Sequence, residues 1–172
     1  MGKTRGTTPT ESRIRAEIAA QRRELADVFD RLHGSQWNAP SLCAGWRVRE
    51  VVAHMSLGFR HSLPRTLWEL AKARGSLHRM TDRCARADAA AFTTEDLTAQ
   101  IRDNAHHPWT PPVGGYTSAL GHDVVHGLDV TVALGLDRRV PPERVRLLLV
   151  AFGRKVPPGR LRGEGGERYL LR

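Results

Sequence analysis

The sequence is poor in the features that mark several large classes of protein. It has only two cysteines among 172 residues, Cys43 and Cys84, which are too few for a disulfide framework. The first nine residues contain no apolar stretch, so no signal peptide is expected. The longest strongly apolar run, residues 147–152, is far too short to span a bilayer. These absences favour a cytoplasmic protein whose thiols stay reduced.

Common nucleotide-binding and hydrolase motifs are absent as well. The chain has no Gly-rich phosphate loop, no dinucleotide fingerprint, no Gly-x-Ser-x-Gly nucleophile elbow and no paired-cysteine zinc motif. The net charge is +9, but residues 138–172 hold most of the excess, with ten Arg or Lys against three Glu. Because this basic segment carries no nucleic-acid-binding motif, we interpret it as a solvated tail and expect no nucleic-acid partner.

What the chain does contain is helical periodicity. Apolar residues make up 40% of the sequence and recur at helical spacing, and no stretch alternates as a strand would. The predicted helices cover residues 10–33, 47–74 with a break at Pro64, 77–92, 95–106, 117–135 and 144–152. This pattern predicts an all-α fold, a bundle of four main helices with short extra helices.

Two histidines four residues apart, His122 and His126, are the most informative feature. On a helix they lie on one face, so both imidazoles can bind one metal ion. His54, at the edge of the apolar stripe of an earlier helix, can supply a third ligand. Three protein ligands with an open position are typical of a catalytic metal site, and imidazole suits zinc, nickel, iron or copper.

The same residues also have ordinary interpretations. A His-x-x-x-His pair arises by chance, and His54 can simply pack in the core. Asp129 lies on the histidine face and is placed to orient an imidazole, or to stay exposed, whereas Asp123 lies off that face and is expected to be exposed. Cys43 precedes a helix, where a thiolate is favoured, although a small buried side chain is the simpler interpretation. His106 and His107 lie in a predicted loop, where they can contact a substrate or simply form a turn.

Two segments resemble a known family. Residues 37–54, WNAPSLCAGWRVREVVAH, resemble the W-x-x-P-(T/S)-x-C-x-G-W-x-V-R-(D/E)-V-V-A-H signature of the mycothiol-dependent maleylpyruvate isomerase family. Residues 123–129, DVVHGLD, followed by 133–135, ALG, resemble a later segment of the same family. The resemblance covers roughly residues 12–152 and implies the metal-binding four-helix bundle of the DinB-like superfamily.

The family resemblance also implies a ligand set. The histidine that ends the first segment and the histidine of the second are metal ligands in the family, and they match His54 and His126. The position four residues before the latter is often Glu in the isomerase and His or Asp in relatives. Here it is His122, so the resemblance implies a metal site of three histidines.

The resemblance further implies a reaction class. The expected cofactors are a divalent metal, zinc first with nickel or iron as alternatives, and mycothiol as the thiol cosubstrate. The metal activates the thiol for transfer to, or isomerisation of, a small electrophile. The expected partners are therefore a small thiol and a small electrophile, and binding to a membrane is not expected. Formation of a homodimer is left as an open alternative. The alternative is a non-catalytic metal-binding bundle with a stress-response or regulatory role.

Three regions are expected along the chain. Residues 1–9 form a flexible N-terminus, and residues 10–152 form the metal-binding bundle. Residues 153–172 are rich in Gly, Pro and Arg and are expected to lack regular structure.

Overall fold

The computed structural model describes residues 9–151, and these residues contain helices but no strand. The all-α prediction is therefore confirmed for the described part of the chain. None of the helices in residues 9–151 is long and apolar enough to cross a bilayer. The eight helices are α1 (Pro9–Phe29), α2 (Gly34–Trp37), α3 (Val48–Arg60), α4 (Leu63–Lys72), α5 (Leu77–Ala91), α6 (Thr94–Asp103), α7 (Gly115–Thr131) and α8 (Pro142–Ala151).

The chain divides into two compact units, Met1–Arg138 and Arg139–Arg172. The first unit contains α1 to α7. In the second unit the described structure consists of the segment up to residue 141 and the helix α8. The predicted irregular tail, residues 153–172, lies outside the described residues, as do residues 1–8.

Four helices of the first unit form a closed bundle. Helix α1 packs against α6 and α7, and α3 packs against the same two helices from the other side. Helix α5 packs against α3, and α4 packs against α5. Apolar side chains from all four of these helices meet in the core, among them Leu25, Phe29, Val51, Met55, Leu97, Ile101 and Val130. Four main helices with shorter additions are the architecture that the periodicity predicts.

Local signals explain where the helices begin. The backbone N–H of Asp96 donates to Thr93 Oγ1, and the backbone N–H of Thr93 donates to Asp96 Oδ2, so α6 opens with a capping box. Glu50 accepts from the backbone N–H of Arg47 at 2.8 Å and stabilises the start of α3 in the same way. Ser62 accepts from the N–H of Arg65 at the start of α4, just before Pro64.

Some sequence-based expectations need correction. The first helix ends at Phe29 rather than at residue 33, because a turn follows and residues 34–37 form the separate helix α2. The helical spacing of Met80, Cys84 and Ala87 predicts that Ala87 faces inward on α5, but Ala87 is exposed and its neighbour Asp88 is buried. The spacing of Val124, Leu128 and Val132 likewise predicts that Val132 lies on the apolar face of α7, but Val132 is 56% exposed and its neighbour Thr131 is buried. At both positions the buried face lies one residue away from the predicted one.

Candidate metal centre

The three predicted histidines converge at the interface of α3 and α7. His54 lies on α3, and His122 and His126 lie one turn apart on α7. The ring centroids are 5.1, 4.8 and 4.7 Å apart, and one ring nitrogen of each residue lies within 4.8 Å of the others. The Nε2 atoms of His54 and His122 are only 3.2 Å apart. Residues 68 positions apart in sequence therefore present ring nitrogens to one point.

Two aspartates hold the α7 histidines by their other ring nitrogens. His122 Nδ1 lies 3.0 Å from Asp123 Oδ1, and His126 Nδ1 lies 3.0 Å from Asp129 Oδ2. Because an ionised carboxylate can only accept, each Nδ1 carries the proton and each Nε2 keeps its lone pair. Carboxylates that orient ligating imidazoles are usual around protein-bound metals. Asp129 thus occupies the orienting position considered for it from the sequence.

Asp123 is buried, so the prediction that it is exposed is wrong. Its Oδ2 accepts from Arg22 Nε at 2.7 Å, and the side chains of Asp123 and Arg22 are only 1% and 0% exposed. Arg22 Nη1 also donates to the backbone carbonyls of Asn104 and His107, at 3.1 and 3.0 Å. The partner on α1 lies 101 residues away, and therefore no local pattern around Asp123 could reveal it.

Two tryptophans flank the histidines, and sequence reasoning assigned neither to the site. The ring of Trp46 lies 5.1 Å from that of His54, and its Nε1–H donates to Asp82 Oδ1 at 2.7 Å. The ring of Trp109 lies edge-on to His122 at 5.5 Å. Trp109 belongs to a loop without periodicity, so nothing in the sequence pointed to this contact.

Cys43 also reaches the centre, from the loop that precedes α3. Its thiol donates to Asp129 Oδ2 at 3.1 Å and lies 3.8 Å from His126 Nδ1. Burial raises the pKa of the Cys43 thiol to about 12, and the hydrogen bond to Asp129 acts in the same direction. Burial and the neighbouring carboxylate thus both oppose ionisation in the metal-free protein, so the simpler interpretation of Cys43 as a small, partly buried side chain fits better than the alternative of a favoured thiolate.

The loop histidines lie elsewhere. His106 Nε2 lies 2.9 Å from Arg23 Nη1, and His107 Nδ1 accepts from the backbone N–H of Trp109 at 3.1 Å. Both histidines line a groove of about 330 Å³ together with Arg15 and Tyr116. A contact of these histidines with a substrate stays a prediction.

The chemistry of the donor set fits a metal ion. His54 is largely buried, and its Nε2 faces His122 Nε2 at 3.2 Å. Burial lowers the pKa of His54 to about 3. Repulsion between the protonated form of this ring and those of His122 and His126 acts in the same direction. A neutral ring is the form that binds a metal, and three imidazoles suit zinc, nickel or iron.

We expect the metal-free protein to lose stability in acid. The folded-state pKa of His54 lies below the unfolded value of 6.5, so protons bind the unfolded chain more strongly. The stabilisation is complete above pH 6.5 and is lost as the pH falls towards 3, by about 2 kcal/mol at pH 5. Denaturant unfolding with a chelator at pH 7.5 and pH 5 measures this loss. His54→Gln should lose less stability, and an equal loss in both proteins would contradict the assignment.

Comparison with known proteins gives one match. The family model described as "Mycothiol maleylpyruvate isomerase N-terminal domain" matches residues 18–107, just over half of the chain. The match includes residues 37–54 and His54, whereas His122 and His126 lie beyond its end. Neither the curated proteins nor the solved structures gave a match.

Proposed function

Since this chain belongs to the mycothiol maleylpyruvate isomerase N-terminal domain family, we propose that it is a metal-dependent enzyme acting with a low-molecular-weight thiol. The reaction is transfer of the thiol to a small electrophile, or isomerisation of that electrophile through a thiol adduct. One observation carries the proposal: His54, His122 and His126 present ring nitrogens within 4.8 Å of one another. Such a cluster offers three ligands and leaves a position for a fourth.

Each residue of the centre has a role in this proposal. His54, His122 and His126 hold the ion, and Asp123 and Asp129 fix the orientation of the two α7 imidazoles. A bound divalent ion, zinc first and nickel or iron as alternatives, supplies Lewis acidity that lowers the pKa of a coordinated thiol. The two aspartates thus leave the Nε2 atoms of His122 and His126 available to a metal ion.

Mycothiol is the thiol that we propose, because the matching family is described by that name. The thiolate attacks an electrophilic carbon, and the thiol proton leaves to solvent. In transfer, the carbon–sulfur bond persists, and the displaced electron pair either departs with a leaving group of the electrophile or, where a double bond is attacked, forms a carbanion that takes a proton from solvent. In isomerisation the carbon–sulfur bond breaks again after rotation about the former double bond, and the thiol is regenerated. We place this reaction in the cytoplasm, where small thiols stay reduced.

Metal content and mycothiol-dependent conversion of a small electrophile test the proposal together. We expect about one zinc, nickel or iron ion per purified chain, with the metal reduced to background in His126→Ala because one of three ligands is gone. Mycothiol-dependent conversion of a small electrophile, seen as loss of mycothiol in transfer or as isomerised product in isomerisation, should depend on the ion and stop in the same variant. His78→Ala is the matched control, because His78 is an exposed histidine outside the centre.

The outcomes distinguish the proposed enzyme from the alternative, a non-catalytic metal-binding bundle. Metal bound through His126 with neither thiol transfer nor isomerisation of the electrophile would leave the non-catalytic metal-binding bundle. The absence of metal from the wild-type protein, even after incubation with divalent ions, would overturn both hypotheses, since each requires a bound metal.

A further inference from the structure

A second group of metal-binding side chains lies next to the three histidines. Cys43 Sγ, His126 Nδ1 and Asp129 Oδ2 face one another, and all three residues are partly buried. The distances are 3.1 Å from Sγ to Oδ2, 3.8 Å from Sγ to Nδ1 and 3.0 Å from Nδ1 to Oδ2. Nothing in the proposed thiol reaction uses the cysteine.

We propose that Cys43, His126 and Asp129 form a second metal site that shares His126 with the histidine cluster. His126 binds the first ion through Nε2 and the second through Nδ1. The second site takes a divalent ion that accepts thiolate ligands, such as zinc, cobalt or cadmium.

The spacing of the donor atoms fits one ion. Bonds of about 2.0–2.3 Å in a tetrahedral arrangement put neighbouring donor atoms roughly 3.3–3.7 Å apart. The observed distances of 3.0–3.8 Å bracket this range. Small shifts of side chains that are already in contact are enough to complete the geometry.

The charges also favour a cation. A thiolate and a carboxylate bring two negative charges to the second group, whereas the first cluster consists of three imidazoles. Binding releases two protons to solvent, one from the Cys43 thiol and one from His126 Nδ1. The Asp129 carboxylate, which accepts both hydrogen bonds in the metal-free protein, becomes a ligand itself.

The backbone fixes the cysteine in place. The N–H of Leu42 donates to the carbonyl of Asp129 at 3.0 Å and ties the loop to α7. Ser41 Oγ accepts from the N–H of Cys43 at 3.1 Å. Gly45, with φ of +77°, allows the left-handed turn that brings the loop back to α3. The thiol is therefore positioned by main-chain bonds that a bound ion leaves intact.

Titration with cobalt(II) tests the second site, because thiolate ligation gives a near-ultraviolet charge-transfer band that imidazole ligation lacks. The wild-type protein should bind two ions and show the band. His54→Ala should bind one ion and keep the band, whereas Cys43→Ala should bind one ion without it. Cys84→Ala is the matched control with the other cysteine and should behave as wild type. Cys43→Ser replaces Cys43→Ala if circular dichroism shows that the latter does not fold.

Three results would overturn the proposal. The first is the absence of the band from both the wild-type protein and His54→Ala. The second is a band that saturates at one ion per chain and disappears in His54→Ala, since the thiolate would then be a ligand of the first ion. The third is a band that depends on Cys84. The titration measures coordination and not turnover, so the thiol reaction and the second site can fail separately.

Discussion

Replacing Asp123 with alanine is expected to lower the free energy of unfolding by about 3–5 kcal/mol, because it leaves a buried charge without its partner. The guanidinium of Arg22 is fully buried, and Asp123 Oδ2 is its carboxylate partner at 2.7 Å. The other hydrogen bonds described for this guanidinium go to backbone carbonyls, which carry no compensating charge. The loss should therefore exceed that of an ordinary hydrogen bond.

Denaturant unfolding of the metal-free proteins measures this effect, and Asp129→Ala is the matched control. Asp129 also accepts from a histidine Nδ1, but its side chain is 17% exposed and forms no described ion pair with an arginine. Its removal should cost about 1 kcal/mol. The double variant Arg22→Met/Asp123→Leu should recover most of the stability, since both charges are gone. Equal losses in the two single variants would contradict the role assigned to the ion pair.

Gly58→Ala is expected to destabilise the protein by about 1–3 kcal/mol, although alanine is the better helix former. A Cβ atom at this position of α3 would lie 2.2 Å from Trp109 Cε2 and 2.3 Å from Cδ2. The indole must therefore move, and its edge contact with His122 moves with it. We expect a weaker metal affinity as well as the loss of stability.

Unfolding free energy, tryptophan emission and zinc affinity report the displacement of Trp109. Gly34→Ala is the control, because a Cβ there meets no atom within 4 Å. The free energy of unfolding of Gly34→Ala should match that of the wild-type protein within about 0.5 kcal/mol. Its tryptophan emission spectrum should be unchanged. An unchanged emission spectrum in Gly58→Ala would show that Trp109 does not pack on α3 as described.

The helices that carry the centre were predictable from sequence. The apolar stripe of α3, Val48, Val51, Val52 and Met55, is fully or almost fully buried, as its periodicity predicts. The four-residue spacing of His122 and His126 places both on one side of α7. Residues 37–54 and 123–129 identified the family, and the match over residues 18–107 confirms it.

The supporting residues were not predictable, because their partners are distant in sequence. Asp123 is buried together with its partner Arg22 on α1, and the Cys43 thiol is kept protonated by burial together with its hydrogen bond to Asp129, to which its loop is tied. Trp109 lies in a loop, where side-chain direction follows from tertiary packing rather than from periodicity. A single sequence specifies the ligands of such a centre more readily than the residues around them.

The separation of His54 and His122 has a further consequence for folding. The two residues are 68 positions apart, so their nitrogens meet only after the bundle has closed. An ion held between them acts as a reversible cross-link of α3 to α7, and the unfolded chain offers no equivalent arrangement. At a metal concentration of 100 times the Kd, such a cross-link adds about 2.7 kcal/mol to the stability of the folded chain. The supply of metal then affects how stable the folded chain is as well as how much of it is loaded.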